Sequence, residues 1–492
     1  MPKTTSAPFL ALPPREAHEP AASWLSSALR REILEGRLRP GARLPATRDL
    51  AAQYALSRGT IVSAFEALAA EGYVSGTTGS GTYVNRVLPD DLLEAGRRAG
   101  REPKALRPWH RRLSAFGRRA REFSGLEAQP ARAFRTNLPA LDLFPTTLWA
   151  QLVARRHRSA PASLLRGCGP MGHPPLQAAL AEYLATSRGV KCEPDQIAIV
   201  SGVQEAIDLA ARLFLDPGDR VCMEDPGYPG AALAFEAVGA KISALPLDGE
   251  GMTLPGPRLR DARLAYVTPG HQFPTGLGMS LPRRLALLEW ARTTGAAILE
   301  DDYDSEFRYT GRPVPALQGL DRHGLVLFTG SFSKVLFPSL RVGFLVIPED
   351  LIDSVSAIRS IGSRHAPLLE QAVLCDFLAE GHFGRHLRRM REIYAERSAA
   401  LVTDARERLG GLLHLSDLEA GLQTAGWLAE GIDGEAAAQA AERRGVEVTP
   451  LSRYTRGKVA REGLQLGFAA VDVKEIRRGV RELAGAFEEV RR

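Results

Sequence analysis

Six short apolar runs, Ile197 to Val200, Arg220 to Met223, Leu264 to Val267, Ala297 to Leu299, Val326 to Phe328 and Gly343 to Ile347, are separated by stretches with helical character. Strands that alternate with helices pair through crossovers, so the pattern predicts a doubly wound, mostly parallel sheet. Ligands of such sheets sit beyond the carboxyl ends of the strands, and the reactive side chains of this chain fall there. Ser201-Gly202-Val203-Gln204 follows the first run and opens a helix, whose amides and dipole suit a phosphate. Asp301 follows Ile298-Leu299-Glu300, and Tyr303, two residues on, points the same way while the chain stays extended. Lys334 closes the run Thr329-Gly330-Ser331-Phe332-Ser333-Lys334, with Arg341 seven residues beyond. A lysine amine forms a Schiff base with an aldehyde, an aspartate keeps a pyridine nitrogen protonated, and an arginine grips a phosphate. Together these are the requirements of pyridoxal 5'-phosphate.

At 492 residues the chain exceeds the roughly 250 to 300 at which single cores stop growing. A second module precedes the sheet. Ser23 to Gly36 reads as a helix with Trp24, Leu25, Ala28, Leu29 and Ile33 on one face. Thr47 is placed to N-cap a second helix that reaches Tyr54, and Ala55-Leu56-Ser57 turns into a third, Arg58 to Glu71, with Ile61, Phe65 and Leu68 on its buried face. Ser57, Arg58, Thr60 and Ser63 are left on the other face, the layout that offers small, polar and basic side chains to a major groove. Ser75 to Val84, with its Thr-Thr-Gly-Ser-Gly-Thr centre, suits a hairpin.

Between the modules, Gly96 to Arg121 carries ten Arg or Lys residues against the single acid Glu102 and reads as a solvated basic linker. The net charge of +6 permits contact with nucleic acid without demonstrating it. Cys168, Cys192, Cys222 and Cys375 have neither CxxC nor Cys/His spacing, so no metal site and no disulfide framework are expected. The first twenty residues lack a signal-peptide core, and no stretch approaches the ~20 apolar residues of a membrane span, so the expected location is the cytoplasm, with the nucleoid.

The first module resembles a GntR-type winged helix-turn-helix. The matching runs are Arg43-Leu44-Pro45-Ala46-Thr47-Arg48-Asp49-Leu50-Ala51, Ser57-Arg58-Gly59-Thr60-Ile61-Val62, Glu71-Gly72-Tyr73 and Gly79-Ser80-Gly81-Thr82-Tyr83-Val84. The resemblance implies double-stranded DNA as partner, contacted by Arg48, Ser57, Arg58, Thr60 and Gly79; Gly59 departs from the Asn or Thr usual at its position. The second module resembles the fold-type I aminotransferases, and more closely the MocR or GabR-type regulators that carry this fold behind a GntR module. It does so through Glu224-Asp225-Pro226-Gly227-Tyr228, Thr268 to Gly276, Glu300 to Phe307, and Ser331-Phe332-Ser333-Lys334 with Pro338 and Arg341. The implied fold is an α/β transferase-like domain with a small C-terminal α+β subdomain, behind an α+β winged head. The expected divisions are a disordered tail at 1–19, the head at 20–86, the basic linker at 87–132 and the cofactor-binding, dimerising domain at 133–492.

Carried over by position, Lys334 would bear the cofactor, Asp301 meet its pyridine nitrogen, Tyr303 its phenolic oxygen and Tyr228 its ring. Gly202, Val203, Gln204, Ser331, Ser333 and Arg341 would surround the phosphate. Four departures accompany the match. Val203 replaces a small hydroxyl residue, and Gly167 replaces a tyrosine that reaches the partner subunit's phosphate. Phe273 replaces the asparagine of Asn-Pro-Thr-Gly, leaving His271 or Gln272 as substitutes, and Gly463 to Ala469 lacks the arginine that clamps a substrate carboxylate, for which Arg453 is the candidate replacement. The implied function is a pyridoxal-phosphate-dependent regulator, a domain-swapped homodimer in which an amine or amino acid effector, or the cofactor itself, reacts at Lys334 and alters operator binding. A working aminotransferase with a DNA-binding head and a bare dimerisation scaffold are the alternatives. Phe273 and the missing arginine count against the first, and the intact Lys334, Asp301, Tyr303 and Arg341 against the second.

Overall fold

The computed structural model describes residues 10–16, 18–77, 81–88, 113–120, 131–254, 256, 259–310, 315–415, 418–457, 459 and 461–491. The chain divides into two compact units, Met1–Arg112 and Leu113–Arg492.

In the first unit, α1 (Ala21–Leu34), α2 (Thr47–Tyr54) and α3 (Arg58–Ala70) precede β1 (Val74–Thr77) and β2 (Gly81–Val84), which pair antiparallel as a wing. Ala46, not Thr47, takes the N-cap position of α2 and caps it with no side chain. Leu25, Leu29, Leu50, Ile61, Phe65 and Leu68 close the core. Two expected divisions are corrected here. The tail assigned to 1–19 is packed from Leu10 onward: Leu10 enters this core, the Tyr54 hydroxyl donates to its carbonyl, and Leu12 N donates to Tyr54 Oη at 3.0 Å. The head also runs past 86, because Asn85 donates to Tyr73 O and Leu88 is buried.

The second unit holds an eight-stranded sheet of β3 (Ile197–Val200), β4 (Arg220–Asp225), β5 (Lys241–Asp248), β6 (Gly251–Met252), β7 (Ala262–Val267), β8 (Ala297–Asp302), β9 (Val326–Ser331) and β10 (Gly343–Val346). Its order is β3-β10-β9-β8-β7-β4-β5-β6, parallel from β9 through β5 and antiparallel where β10 meets its neighbours. Both faces are covered, as parallel sheets require. Ile197, Ile199, Phe328 and Phe344 pack on one side with Leu176, Leu180 and Phe377 of flanking helices. Ala198, Val200, Leu327 and Leu345 pack on the other with Ile207, Ala210 and Phe235. A four-stranded sheet of β11 (Leu413–Leu415), β12 (Gln423–Leu428), β13 (Thr449–Pro450) and β14 (Gly463–Gly467), ordered β11-β12-β14-β13, forms the small subdomain with helices Gly434–Arg443 and Val473–Arg491.

The expected linker at 87–132 is corrected at its far end. Ser114 caps a short helix, Ala115–Arg119, and Arg119 Nε donates to Ala237 O at 3.1 Å, at the end of helix Pro229–Val238, which anchors this segment to the large unit. No helix among the described residues is long and apolar enough to cross a membrane, and no group of His, Cys, Asp or Glu among them has the arrangement of a metal site.

Candidate functional site

The sheet delivers its chemistry at the ends of β3, β4, β8 and β9. Asp301, the penultimate residue of β8, is buried, and the hydroxyl of Tyr266 on neighbouring β7 donates to its Oδ2 at 2.5 Å. Its Oδ1 is buried with no partner. Burial pushes the carboxyl up to about 7, the Tyr266 hydrogen bond pulls it down, and the charges of Asp302 and Asp304 raise it further.

Lys334, in the turn after β9, donates from Nζ to the carbonyl of Asn137 at 2.8 Å. Burial pulls its ammonium down to about 8, against the pull of Asp304 and Asp301, so near neutral pH roughly a tenth is the nucleophilic amine, far more than for an ordinary lysine. Asn137 stands at φ 64°, a left-handed conformation that asparagine tolerates better than most residues. Its own N–H donates to Gln423 Oε1 at 2.8 Å, which ties the segment before the sheet to β12.

Tyr303 Oη lies 3.1 Å from His271 Nδ1, and the same nitrogen faces Asp304 Oδ1 at 2.9 Å and Oδ2 at 3.0 Å. With a carboxylate that close, Nδ1 carries the proton and donates to Asp304, which leaves the Tyr303 hydroxyl free to donate into the site. Burial opposes a charged imidazolium, yet Asp304 prevails and His271 titrates above its ordinary range. The ring is wedged between Gly276 and Gly421, at φ +79° and +89°; a Cβ on Gly421 would sit 2.3 Å from His271 Cε1.

Of the two substitutes expected for the missing asparagine, only His271 reaches Tyr303. The Gln272 amide is spent on Pro226 O, at 2.9 Å, and on Phe273 O. Phe273 serves by packing: its ring meets Tyr228, Tyr303 and Tyr454 edge-on at centroid distances of 5.6, 5.8 and 5.1 Å. Tyr228 follows β4, with Gln204 Oε1 3.4 Å from its hydroxyl. Burial pushes that hydroxyl up to about 12, with Asp301 adding to the shift and Arg341 opposing it.

Gly202 precedes helix Val203–Phe214 at φ +131°, and a Cβ there would lie 3.2 Å from an Arg341 guanidinium nitrogen. The amides that open a helix take no partner within it, so those of Gly202, Val203 and Gln204 stand beside an exposed cation. Val203 supplies no hydroxyl, but Ser333 Oγ is buried without a partner, and Ser331 Oγ accepts from Ser333 N at 3.2 Å. A cup of amides, a hydroxyl and a guanidinium, opposite an unpartnered carboxylate oxygen and a lysine amine, fits pyridoxal 5'-phosphate. Gly167 has φ +96°, and a Cβ there would meet His365 Nε2 at 3.0 Å, so no tyrosine side chain is accommodated without strain.

Arg453, the candidate for the missing arginine, is exposed and bonds Glu435 through both carboxylate oxygens, at 2.9 and 2.7 Å. Sequence reasoning also passed over Tyr266, Asp304, Asn137 and Gln423. Asp304 was visible inside the Glu300 to Phe307 run; Asn137 and Gln423, 286 residues apart, left no signal. A cavity of about 870 Å³ is lined in part by His271, Thr275, Thr424, Trp427 and Arg461, and its lining includes neither Lys334 nor Asp301.

In the head, Arg48 on α2 is exposed and near Asp49, its Nε 3.3 Å from the carboxylate. Arg58 is exposed in the first turn of α3. Ser57 is the N-cap of that helix: its Oγ accepts from Thr60 N at 3.1 Å and lies 2.8 Å from Thr60 Oγ1, so these two hydroxyls order the helix start. Gly79 lies outside the described residues.

Comparison with known proteins matches residues 145–483 to the aminotransferase class I and II family and residues 23–84 to the bacterial regulatory proteins of the gntR family. A probable rhizopine catabolism regulatory protein, MocR, of Rhizobium meliloti is 41% identical over 96% of this chain and 95% of its own length. The pyridoxine biosynthesis transcriptional regulator PdxR of Corynebacterium glutamicum is 30% identical over 95% of this chain and 97% of its own. Among solved structures, the α-aminoadipate aminotransferase LysN of Thermus thermophilus, complexed with N-(5'-phosphopyridoxyl)-L-leucine, superposes with a TM-score of 0.67 at 30% identity, covering 73% of this chain and 92% of that one.

Proposed function

The chain belongs to the aminotransferase class I and II family, carried behind a gntR-family regulatory domain, and from that premise we propose that it is a pyridoxal-phosphate-dependent transcription regulator whose grip on DNA answers to an amine or amino acid. The observation that carries the reading is the unpartnered, buried Oδ1 of Asp301 in a site whose lysine titrates near 8. When bound, pyridoxal 5'-phosphate supplies an electrophilic carbon for amines and a visible chromophore.

The chain's own groups do the rest. Asp301 would hold the pyridine nitrogen and keep it protonated. Tyr228 would cover the ring, and the free hydroxyl of Tyr303, set by His271 and Asp304, would face the phenolic oxygen. The amides of Gly202, Val203 and Gln204 would bind the phosphate together with Ser331, Ser333 and Arg341. Lys334, whose Nζ donates to Asn137 O, is the residue that would bear the cofactor, and Asn137 O would be the acceptor for its amine whenever the lysine is not so engaged. Asn137 is tied to Gln423 of β12, so the movement of Lys334 bears on the small subdomain. Regulation requires that the amine bind two conformations unequally.

On the DNA side, α3 enters the major groove with Arg58 and Thr60 at its leading end, Arg48 meets the backbone, and Gly79 brings the wing to the duplex. Two chains paired head-to-tail, each head swapped toward the other's body, would read paired half-sites in the cytoplasm, at the nucleoid. The test uses a DNA site selected by the protein from a random-sequence pool. Its affinity for wild-type protein and for Lys334→Ala is measured with and without cofactor and amine. The wild-type affinity shifts with amine and the variant's does not; an identical response in both sinks the reading.

A further inference from the structure

Arg359, near the end of helix Ile352–Ile361, carries a side chain with no exposed surface. All three of its guanidinium nitrogens are engaged inside the protein. Nε donates to Pro170 O at 2.5 Å, Nη2 donates to Ile199 O at 2.6 Å, and Nη1 donates to Glu205 Oε1 at 3.1 Å. Burial pulls the guanidinium below its ordinary pKa, and the Glu205 carboxylate works against that loss. A cation is kept in such surroundings only where acceptors and a countercharge meet it.

That countercharge stands at the phosphate end of the site. Glu205 is the third residue of helix Val203–Phe214, whose first amides, with that of Gly202, form the cup beside Arg341. Its Oε2 accepts from Ser201 N at 2.6 Å, and its Oε1 also accepts from Ser363 Oγ at 2.9 Å. Ser201 is the residue before Gly202, which turns the chain into the helix at φ +131°. The carboxylate therefore holds the approach to the cup. Arg359 in turn holds the carboxylate, the carbonyl of Ile199 on β3 and the loop at Pro170.

An acid in the first turn suits the helix dipole, but beside a bound phosphate it is a like charge. Two guanidinium groups, Arg341 and Arg359, face that one carboxylate, a surplus of a single positive charge. Removing Arg359 cancels the surplus and leaves Glu205 to oppose the anion, while neutralising Glu205 enlarges it. Val203 supplies no hydroxyl, so phosphate recognition falls on the placement of the amides and on this balance. Resting on the assignment of the phosphate to the Gly202, Val203 and Gln204 amides, we infer that Arg359 is a positioning residue for it. The arginine acts through other groups: it cancels the charge of Glu205 and pins the start of the helix.

The test compares pyridoxal 5'-phosphate with pyridoxal, which lacks the phosphate, by absorbance titration of the cofactor-free full-length protein. The readout is the ratio of their half-saturation concentrations. Arg359→Gln lowers the preference for the phosphorylated compound at least about tenfold, while pyridoxal moves by less than about twofold. Adding Glu205→Gln to that variant restores most of the loss, and Glu205→Gln alone raises the preference roughly threefold. An unchanged ratio in Arg359→Gln, or a double variant no better than the single, overturns the inference and leaves the phosphate assignment standing. Equal loss of both compounds marks the arginine as structural only and overturns it as well. Should Arg359→Gln not fold, Glu205→Gln decides alone, and an unchanged or lowered preference overturns the inference. Wild-type protein that does not distinguish the two compounds overturns the inference and the phosphate assignment together.

Discussion

Asp301→Asn separates the two demands placed on one carboxylate. In the folded chain this carboxyl is raised from its ordinary 3.8 to about 7, chiefly by burial. At about 1.36 kcal/mol for each tenfold change in proton affinity, its ionisation costs the folded state about 4 kcal/mol above pH 7. The sign follows from proton counting: between pH 3.8 and 7 the folded state binds more protons than the unfolded one, so stability falls as pH rises through that window. Asparagine carries no charge and escapes this loss, but it leaves an amide where Oδ1 stands unpartnered, at roughly 1–3 kcal/mol. The net expectation for cofactor-free protein is a variant more stable than wild type by about 1–3 kcal/mol at pH 8, with the advantage gone at pH 4. Cofactor binding moves the other way, because a charge-assisted bond to the pyridine nitrogen, about 1.5–3 kcal/mol, is lost, and affinity drops roughly 10- to 150-fold. Thermal unfolding of both cofactor-free proteins at pH 4 and pH 8 and a spectrophotometric titration with pyridoxal phosphate read the two effects. A variant less stable than wild type at pH 8, or a stability difference indifferent to pH, refutes the argument from buried charge. Unchanged cofactor affinity refutes the assignment to the pyridine nitrogen.

Three further outcomes are expected. The rate at which wild-type protein captures pyridoxal phosphate climbs with pH through about 8 as the Lys334 ammonium loses its proton, and levels off above it; stopped-flow absorbance shows a flat profile if the amine is not the nucleophile. Arg48→Ala weakens DNA binding and lowers the log-log salt slope by about one, measured by anisotropy at several salt concentrations; an unchanged slope removes Arg48 from the phosphate contacts. Tyr54→Phe removes the hydroxyl that bonds Leu10 O and Leu12 N, costing the head about 1–3 kcal/mol and exposing the chain near Leu10 to limited proteolysis; wild-type resistance there would contradict the packing described.

The sequence made the sheet legible wherever strands are buried on both faces, because such strands read as unbroken apolar runs. β5 escaped notice for the converse reason: in Lys241–Asp248 only Leu245 is buried, and the run is broken by polar residues and Pro246. The packed segment at Leu10 was missed because Leu10-Ala11-Leu12 is too short for periodicity, and its anchors, Trp24 and Tyr54, are themselves half accounted for by their own helices. Lys334, Asp301, Tyr303 and Arg341 were visible because each lies in a local run with a recognisable chemical purpose.

What such runs leave out is pairing across distance. Arg453 reads as a free guanidinium until Glu435, eighteen residues away, is seen to match both its donors. The same limit explains the asparagine that Phe273 replaces. Position by position the replacement reads as a loss, since phenylalanine donates nothing. In the folded chain the two tasks of one residue are divided. Phe273 packs the three tyrosines into place, and His271, two residues earlier and held by Asp304, meets the Tyr303 hydroxyl. The division has a consequence that a single asparagine would not have: an imidazole titrates, so the bonding at Tyr303 depends on Asp304 as well as on pH. Asp304→Asn removes the charge that raises His271, and the neutral imidazole is then free to accept the Tyr303 proton at Nδ1. The hydroxyl proposed to face the phenolic oxygen would thereby be turned away from it. The visible band of the cofactor-loaded variant, recorded across pH, then departs from that of wild type; superimposable profiles would show that Asp304 does not govern the bonding at Tyr303.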